Sequence, residues 1–175
     1  ESMLEALSEH LHLQQLTILD CFNISPPIMI HLPRSLQHLG IHLCENVNFV
    51  MISTAPLQNL HSITITRCNF VKFLSHDMES LLPSLRKLTI QDCDKMEAFP
   101  EGIIVSSLRE LHIESCNKLL VLSHQVEWHV LRNITDLRIS CSNVKCFPYG
   151  CFLPTSLITL ELYSFDYLET LNCTG

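Results

Sequence analysis

One phrase returns seven times along this chain, and no other feature limits the fold so severely. It reads LQQLTILDC from Leu13, LQHLGIHLC from Leu36, LHSITITRC from Leu60, LRKLTIQDC from Leu85, LRELHIESC from Leu108, ITDLRISC from Ile134 and LITLELYSF from Leu157. Successive starts lie 23, 24, 25, 23, 26 and 23 residues apart. A near-constant period of this size marks a solenoid, because a unit so short cannot bury its own apolar side and must use its stacked neighbours. The repeats leave nothing over for a second domain, so residues 1–175 read as one array of about seven units.

Within each phrase Leu-x-Ile alternates with a period of two, as a short strand with one buried face does. Beyond the Cys position apolar residues recur three and six places on: Val47 and Val50, Val71 and Leu74, Met96 and Phe99, Leu119 and Leu122, Val144 and Phe147, Leu168 and Leu171. No 3.6-residue period persists there, and nearly all of the eight prolines fall between the phrases. Those segments are therefore predicted to be loops or short helical turns. Two units depart from the pattern: the sixth is one residue short between Ile139 and Cys141, and the seventh carries Phe165 in place of Cys.

The recurring cysteines are Cys21, Cys44, Cys68, Cys93, Cys116 and Cys141. Stacking places like positions about 4.8 Å apart along a parallel sheet, and side chains pointing the same way keep their Cβ atoms near that spacing, longer than a disulfide prefers. Zinc sites bring close pairs such as CxxC, and the sequence has none. The column reads as packing, a small apolar group with weak hydrogen-bonding capacity where the chain leaves the strand. Buried, reduced thiols imply a reducing compartment, the cytosol or the nucleus. The sequons at Asn23, Asn133 and Asn172 are the opposing signal, for a secreted chain.

Composition excludes some partners. A net charge of -7 with no run of Lys or Arg argues against nucleic acid and anionic membrane surfaces. No apolar segment approaches the roughly 18 to 20 residues that span a bilayer. The opening ESMLEALSEH has no secretory signal pattern. GxxxxGK[ST], GxSxG and HExxH are all absent, so neither an enzyme nor a cofactor or metal site is expected in this chain.

The pattern LxxLxIxxC, followed by spaced apolar residues and an FP-x-G ending at Phe99-Pro100-Glu101-Gly102 and Phe147-Pro148-Tyr149-Gly150, resembles a leucine-rich repeat. The phrases SLRKLTIQDCDKMEAFPEG and SLRELHIESCNKLLVLS are similar to the C-terminal repeats of plant intracellular immune receptors, the coiled-coil type of nucleotide-binding leucine-rich-repeat disease resistance protein; the likeness covers residues 13–171. It implies an α/β horseshoe arc with a concave parallel sheet, one short strand per repeat, and loops or short helical turns on the convex side. It implies a partner that is a pathogen effector, a guarded host protein or the receptor's own nucleotide-binding module, with autoinhibition as a second duty. ATP or ADP would belong to that separate module. The units differ from the LxxLxLxxNxLxGxIP of extracellular plant receptors in having Cys for Asn and no GxIP. The chain opens inside what reads as an earlier repeat, without a polar capping unit, and so is read as an excerpt of a longer array. The alternative is the substrate-recruiting array of an F-box-type ubiquitin ligase subunit.

A curved stack exposes the residues that alternate with the buried ladder, and such arrays bind partners there. The candidate face comprises Gln15, Thr17, His38, His42, Thr64, Thr66, Lys87, Thr89, Gln91, Glu110, His112, Glu114, Asp136, Arg138, Thr159, Glu161 and Tyr163. Its later repeats carry mixed charge, whereas the early ones are more neutral and hold His38 and His42. Those two imidazoles lie four residues apart on one strand face, roughly 13 Å, too far to share a metal ion. Trp128, in the longest unit, is expected to fill space left by the added residues.

Overall fold

The computed structural model describes residues 7, 10–21, 28–53, 55–74, 77–122, 131–142, 145–147 and 153–171. The expectations at Trp128, at Val144 and at 148–150 lie outside them. Each phrase forms one strand: β1 (Gln15–Leu19), β3 (His38–His42), β5 (Ser62–Thr66), β7 (Lys87–Gln91), β8 (Glu110–Glu114), β9 (Asp136–Ser140) and β11 (Thr159–Tyr163). They make a seven-stranded sheet in that order, every neighbouring pair parallel. The molecule is thus a parallel-strand β-solenoid.

Register follows the repeat without a slip. Leu16, Leu39, Ile63, Leu88, Leu111, Leu137 and Leu160 form one column, and Ile18, Ile41, Ile65, Ile90, Ile113, Ile139 and Leu162 the next. From β3 to β9 both columns are buried, as are the leading residues Leu36, Leu60, Leu85, Leu108 and Ile134. A one-residue slip in any strand would turn its apolar set to water, which is what holds the register. The end strands differ: Leu16, Ile18 and Leu162 are only half-buried, and Leu160 is exposed.

Before every strand the same turn recurs, with the N–H of the leading residue donating to the carbonyl three positions earlier in all seven units, from Leu13 to His10 through Leu157 to Pro154. The residue just ahead of the leading position ties units together. Ser35, Ser107 and Ser156 donate through Oγ to the carbonyls of Leu13, Leu85 and Ile134, one unit earlier, at 2.8, 2.8 and 2.6 Å. Asn59 and Asn133 do the same through Nδ2, to Arg34 and Ser106.

The cysteine column turns the corner out of the strand. The thiols of Cys44, Cys68, Cys93 and Cys116 each accept from the backbone N–H of the cysteine one unit earlier, at 3.4 to 3.5 Å. Each also donates to the carbonyl two residues before itself, at 3.0 to 3.2 Å. All six cysteines of the column are thiols, and five are buried. Burial pushes the Cys68 thiol up to about 12. The hydrogen bond with Cys93, and then burial, raises that of Cys116 as well. The column is packing with a hydrogen-bonding role, since a protonated thiol both donates and accepts.

The residue ahead of the corner position is left-handed in six units: Asp20, Leu43, Arg67, Asp92, Ser115 and Ser164, with φ between 52° and 63°. None is glycine. The N–H groups of Asp20, Leu43, Arg67 and Asp92 each extend the strand ladder by one bond, to His42, Thr66, Gln91 and Glu114. The sixth unit lacks this left-handed residue, which accounts for its being one residue short: Ser140 ends β9 and Cys141 follows directly, its Sγ donating to Asn117 Oδ1 at 3.3 Å.

The segments behind the corner correct the prediction of loops and helical turns. Five of them contain strands: β2 (Ile28–His31), β4 (Asn48–Ile52), β6 (Phe70–Leu74), β10 (Cys146–Phe147) and β12 (Thr170–Leu171). Parallel sheets run β2-β4-β6 and β10-β12. Ile28, Ile30, Phe49, Met51, Val71 and Phe73 point inward and Met29, Val50 and Lys72 outward, a period of two that the search for apolar residues three and six places on did not resolve. Helix is confined, among the described residues, to α1 (Met78–Leu81) and α2 (Asn117–Leu122), so the expected α/β alternation reduces to these two short pieces. In the fourth unit, between β7 and β8, the chain runs as coil and turns, one of them at Pro100, whose carbonyl accepts from Ile103 N–H at 3.1 Å. Gly102 supplies the left-handed φ of 69° there, and a Cβ on it would meet Met78 Cγ at 2.7 Å.

Candidate functional site

Alternation along seven in-register strands dictates three solvent-side columns. The first holds Gln15, His38, Ser62, Lys87, Glu110, Asp136 and Thr159; the second Thr17, Gly40, Thr64, Thr89, His112, Arg138 and Glu161; the third Leu19, His42, Thr66, Gln91, Glu114, Ser140 and Tyr163. Every residue of the sequence-derived face falls in one of them. Two column members are covered nonetheless: Thr89 is 8% exposed and Ser140 4%. Thr89, one of the residues predicted to bind, is therefore buried within its column.

The early end is a shallow neutral hollow of about 230 Å³ around Gly40, bordered by Thr17, His38, His42, Ser62 and Thr64. Gly40 makes the hollow: a Cβ there would meet His42 Nε2 at 2.7 Å, so the imidazole lies in the space a side chain would take. His38 Nδ1 shares a hydrogen bond with Ser62 Oγ at 2.7 Å. The sequence offered this glycine only as a gap in a column of threonines; its meaning comes from the neighbouring ring.

The late end is a lattice of opposite charges across strands. Lys87 Nζ lies 3.2 Å from Glu110 Oε2, and Arg138 Nε 3.2 Å from Glu161 Oε2, close enough for an ion pair although the Nε–H is off the hydrogen-bond axis. Gln91 Nε2 donates to Glu114 Oε2 at 2.8 Å. Tyr163, two strands from Glu114, is raised above the ordinary phenol range by burial first and by the Glu114 carboxylate next. Asp136 is held low by the Thr135 hydroxyl, 2.7 Å away, and then by Thr159. Half-exposed pairs of this kind add at most about 1 kcal/mol each to stability, so they contribute little to folding.

His112 sits at the centre of this lattice between Thr89 and Arg138. Burial lowers its pKa, and the cations Lys87 and Arg138 lower it further against the opposing pull of Glu110 and Glu161. Its Nε2 is buried with no hydrogen-bond partner among the described residues. The imidazole is neutral at pH 7, which leaves Nε2 able to donate or accept according to tautomer.

Among the described residues no group of three or more His, Cys, Asp or Glu is placed to hold a metal ion, and no helix is long and apolar enough to cross a membrane. The chemistry on offer is a polar, partly charged sheet surface with a neutral hollow at one end. No protein-family model matches the chain, and no curated protein is significantly similar to it.

Proposed function

We propose that this chain is a leucine-rich-repeat recognition domain whose seven-stranded sheet is the concave, partner-binding surface of a horseshoe arc. The observation that carries the reading is the contrast between columns: the buried ones repeat Leu, Ile and Cys, while the solvent-side columns, in the same strands and the same register, change from unit to unit. A surface free of packing demands can be matched to a partner one residue at a time. The LxxLxIxxC phrases support placing it in a cytosolic or nuclear plant disease resistance protein, where it would sense a pathogen effector or guarded host protein and restrain the nucleotide-binding module in cis. The reduced, buried thiols accord with a reducing compartment.

The test is co-precipitation of this array with the nucleotide-binding module of its parent protein, comparing the wild type with Lys87→Glu and Arg138→Glu. Each reverses one half of a half-exposed pair, so folding is retained by circular dichroism while capture drops at least tenfold. Capture unchanged by both substitutions would remove the sheet face from the interaction.

A further inference from the structure

The sheet β2-β4-β6 stops at β6 although the solenoid continues. In the fourth unit the positions that would supply the next strand, residues 95–99, run as turn and coil, and Pro100 follows them. Among the described residues no backbone hydrogen bond joins β6 to that stretch. The edge of β6 therefore presents unpaired backbone donors and acceptors, the template on which an added strand forms.

A cleft of about 740 Å³ lies between that edge and the fourth unit. Phe70 and Lys72 border it on one side, and Lys95, Met96, Phe99 and Pro100 on the other. Phe70 is 43% exposed, large for a phenylalanine in a strand. Lys118 is neutralised by Glu97 at 3.3 Å, whereas Lys72 and Lys95 form no ion pair with any described residue. With Glu97 and Glu101 also in its lining, the cleft carries three ammonium groups and two carboxylates, a net charge of +1 beside an open strand edge on a chain of net charge -7, which favours an acidic occupant.

We propose that this cleft is a second binding site, taking an extended acidic peptide that adds as a fourth strand to β6. Alternation along the added strand gives its side chains two environments. Those directed inward meet Met96 and Phe99 and are apolar; those directed outward meet Lys72 and Lys95 and are carboxylates. The recognised pattern is apolar-acidic-apolar-acidic in extended form. This site is on the opposite side of the unit from the seven-stranded sheet, and it stands or falls independently of any partner bound there.

The experiment uses the whole chain and a fluorescein-labelled, end-capped octapeptide of alternating valine and glutamate, followed by anisotropy. Saturable binding is expected, together with slowed amide exchange in Phe70 to Phe73. Lys72→Glu combined with Lys95→Glu, both at exposed positions, weakens binding at least tenfold. The same peptide with alternate backbone nitrogens methylated, which needs no change in the protein, also binds at least tenfold more weakly. A peptide of alternating valine and lysine does not bind. No saturable binding, affinity indifferent to N-methylation, or affinity indifferent to the two lysine reversals would each overturn the proposal; the second would leave only a diffuse charge contact.

Discussion

The two sides of this solenoid obey the same repeat and reach different structures. On the seven-stranded side every unit contributes five residues in register. On the opposite side successive units offer strand, strand, strand, coil, helix, strand and strand. The difference lies in how many constraints act on each segment. Seven-stranded positions are bounded by a turn in every unit, tied to the previous unit by Ser or Asn in five, and closed by a cysteine corner in six. The opposite segments have only their own side-chain pattern, so one unit, the fourth, can interrupt a sheet that its neighbours form. Uniformity on one side is a property of the array; variety on the other is a property of each unit.

That comparison can be broken most directly at the seven-stranded core. Leu88→Asp places an unpaired carboxylate in a fully buried column, and loss of the cooperative unfolding transition is the expected result by circular dichroism. Survival of the transition would mean that the central sheet does not bear the fold. On the other side Phe49 is 1% exposed in β4, and Phe49→Ala is expected to cost about 3 to 5 kcal/mol in urea unfolding while leaving a folded chain. Equal severity for the two substitutions would erase the distinction between the sides.

Finer effects sharpen the picture at the corner. Cys68→Ala deprives Cys44 N–H of its acceptor and Thr66 carbonyl of its donor, and a loss of about 1 to 3 kcal/mol is expected. In the same corner Arg67 is left-handed and exposed, so Arg67→Gly removes backbone strain and should change stability by no more than about 1 kcal/mol, in the stabilising direction. Smallest is the pH effect of His112. Its folded pKa lies below the ordinary 6.5, so its contribution is complete above about 6.5 and is lost as pH falls from there through the folded value. His112→Gln should flatten the decline in melting temperature between pH 7 and pH 5, and an unchanged slope would remove His112 as its source.

Much of this was readable in the chain itself, for a physical reason. Seven in-register copies average out local ambiguity, so the strands, their parallel order, the buried Leu and Ile columns and the packing role of the cysteines all follow from one alignment. The same logic placed every candidate binding residue on the solvent side of the sheet. It failed where each unit speaks alone. IMIH, NFVMI and FVKFL alternate over only four or five residues, and a count of apolar residues three and six places on passes over that period. Burial of Thr89 was also out of reach, because it depends on which neighbours lean across it. The left-handed residues were invisible because Leu43 and Arg67 are not residues that announce a positive φ.

The pairing of each residue with its own counterpart, unit after unit, has a consequence for the gene. Recombination that duplicates or drops one whole unit among the second to fifth leaves aliphatic beside aliphatic and thiol beside amide on the seven-stranded side of the new junction, so that side of the core accepts the change at once. The outward columns are meanwhile reshuffled in a single step. A junction at the fourth-unit coil or at α2 would feel the cut, because there the neighbour on the far side differs in kind.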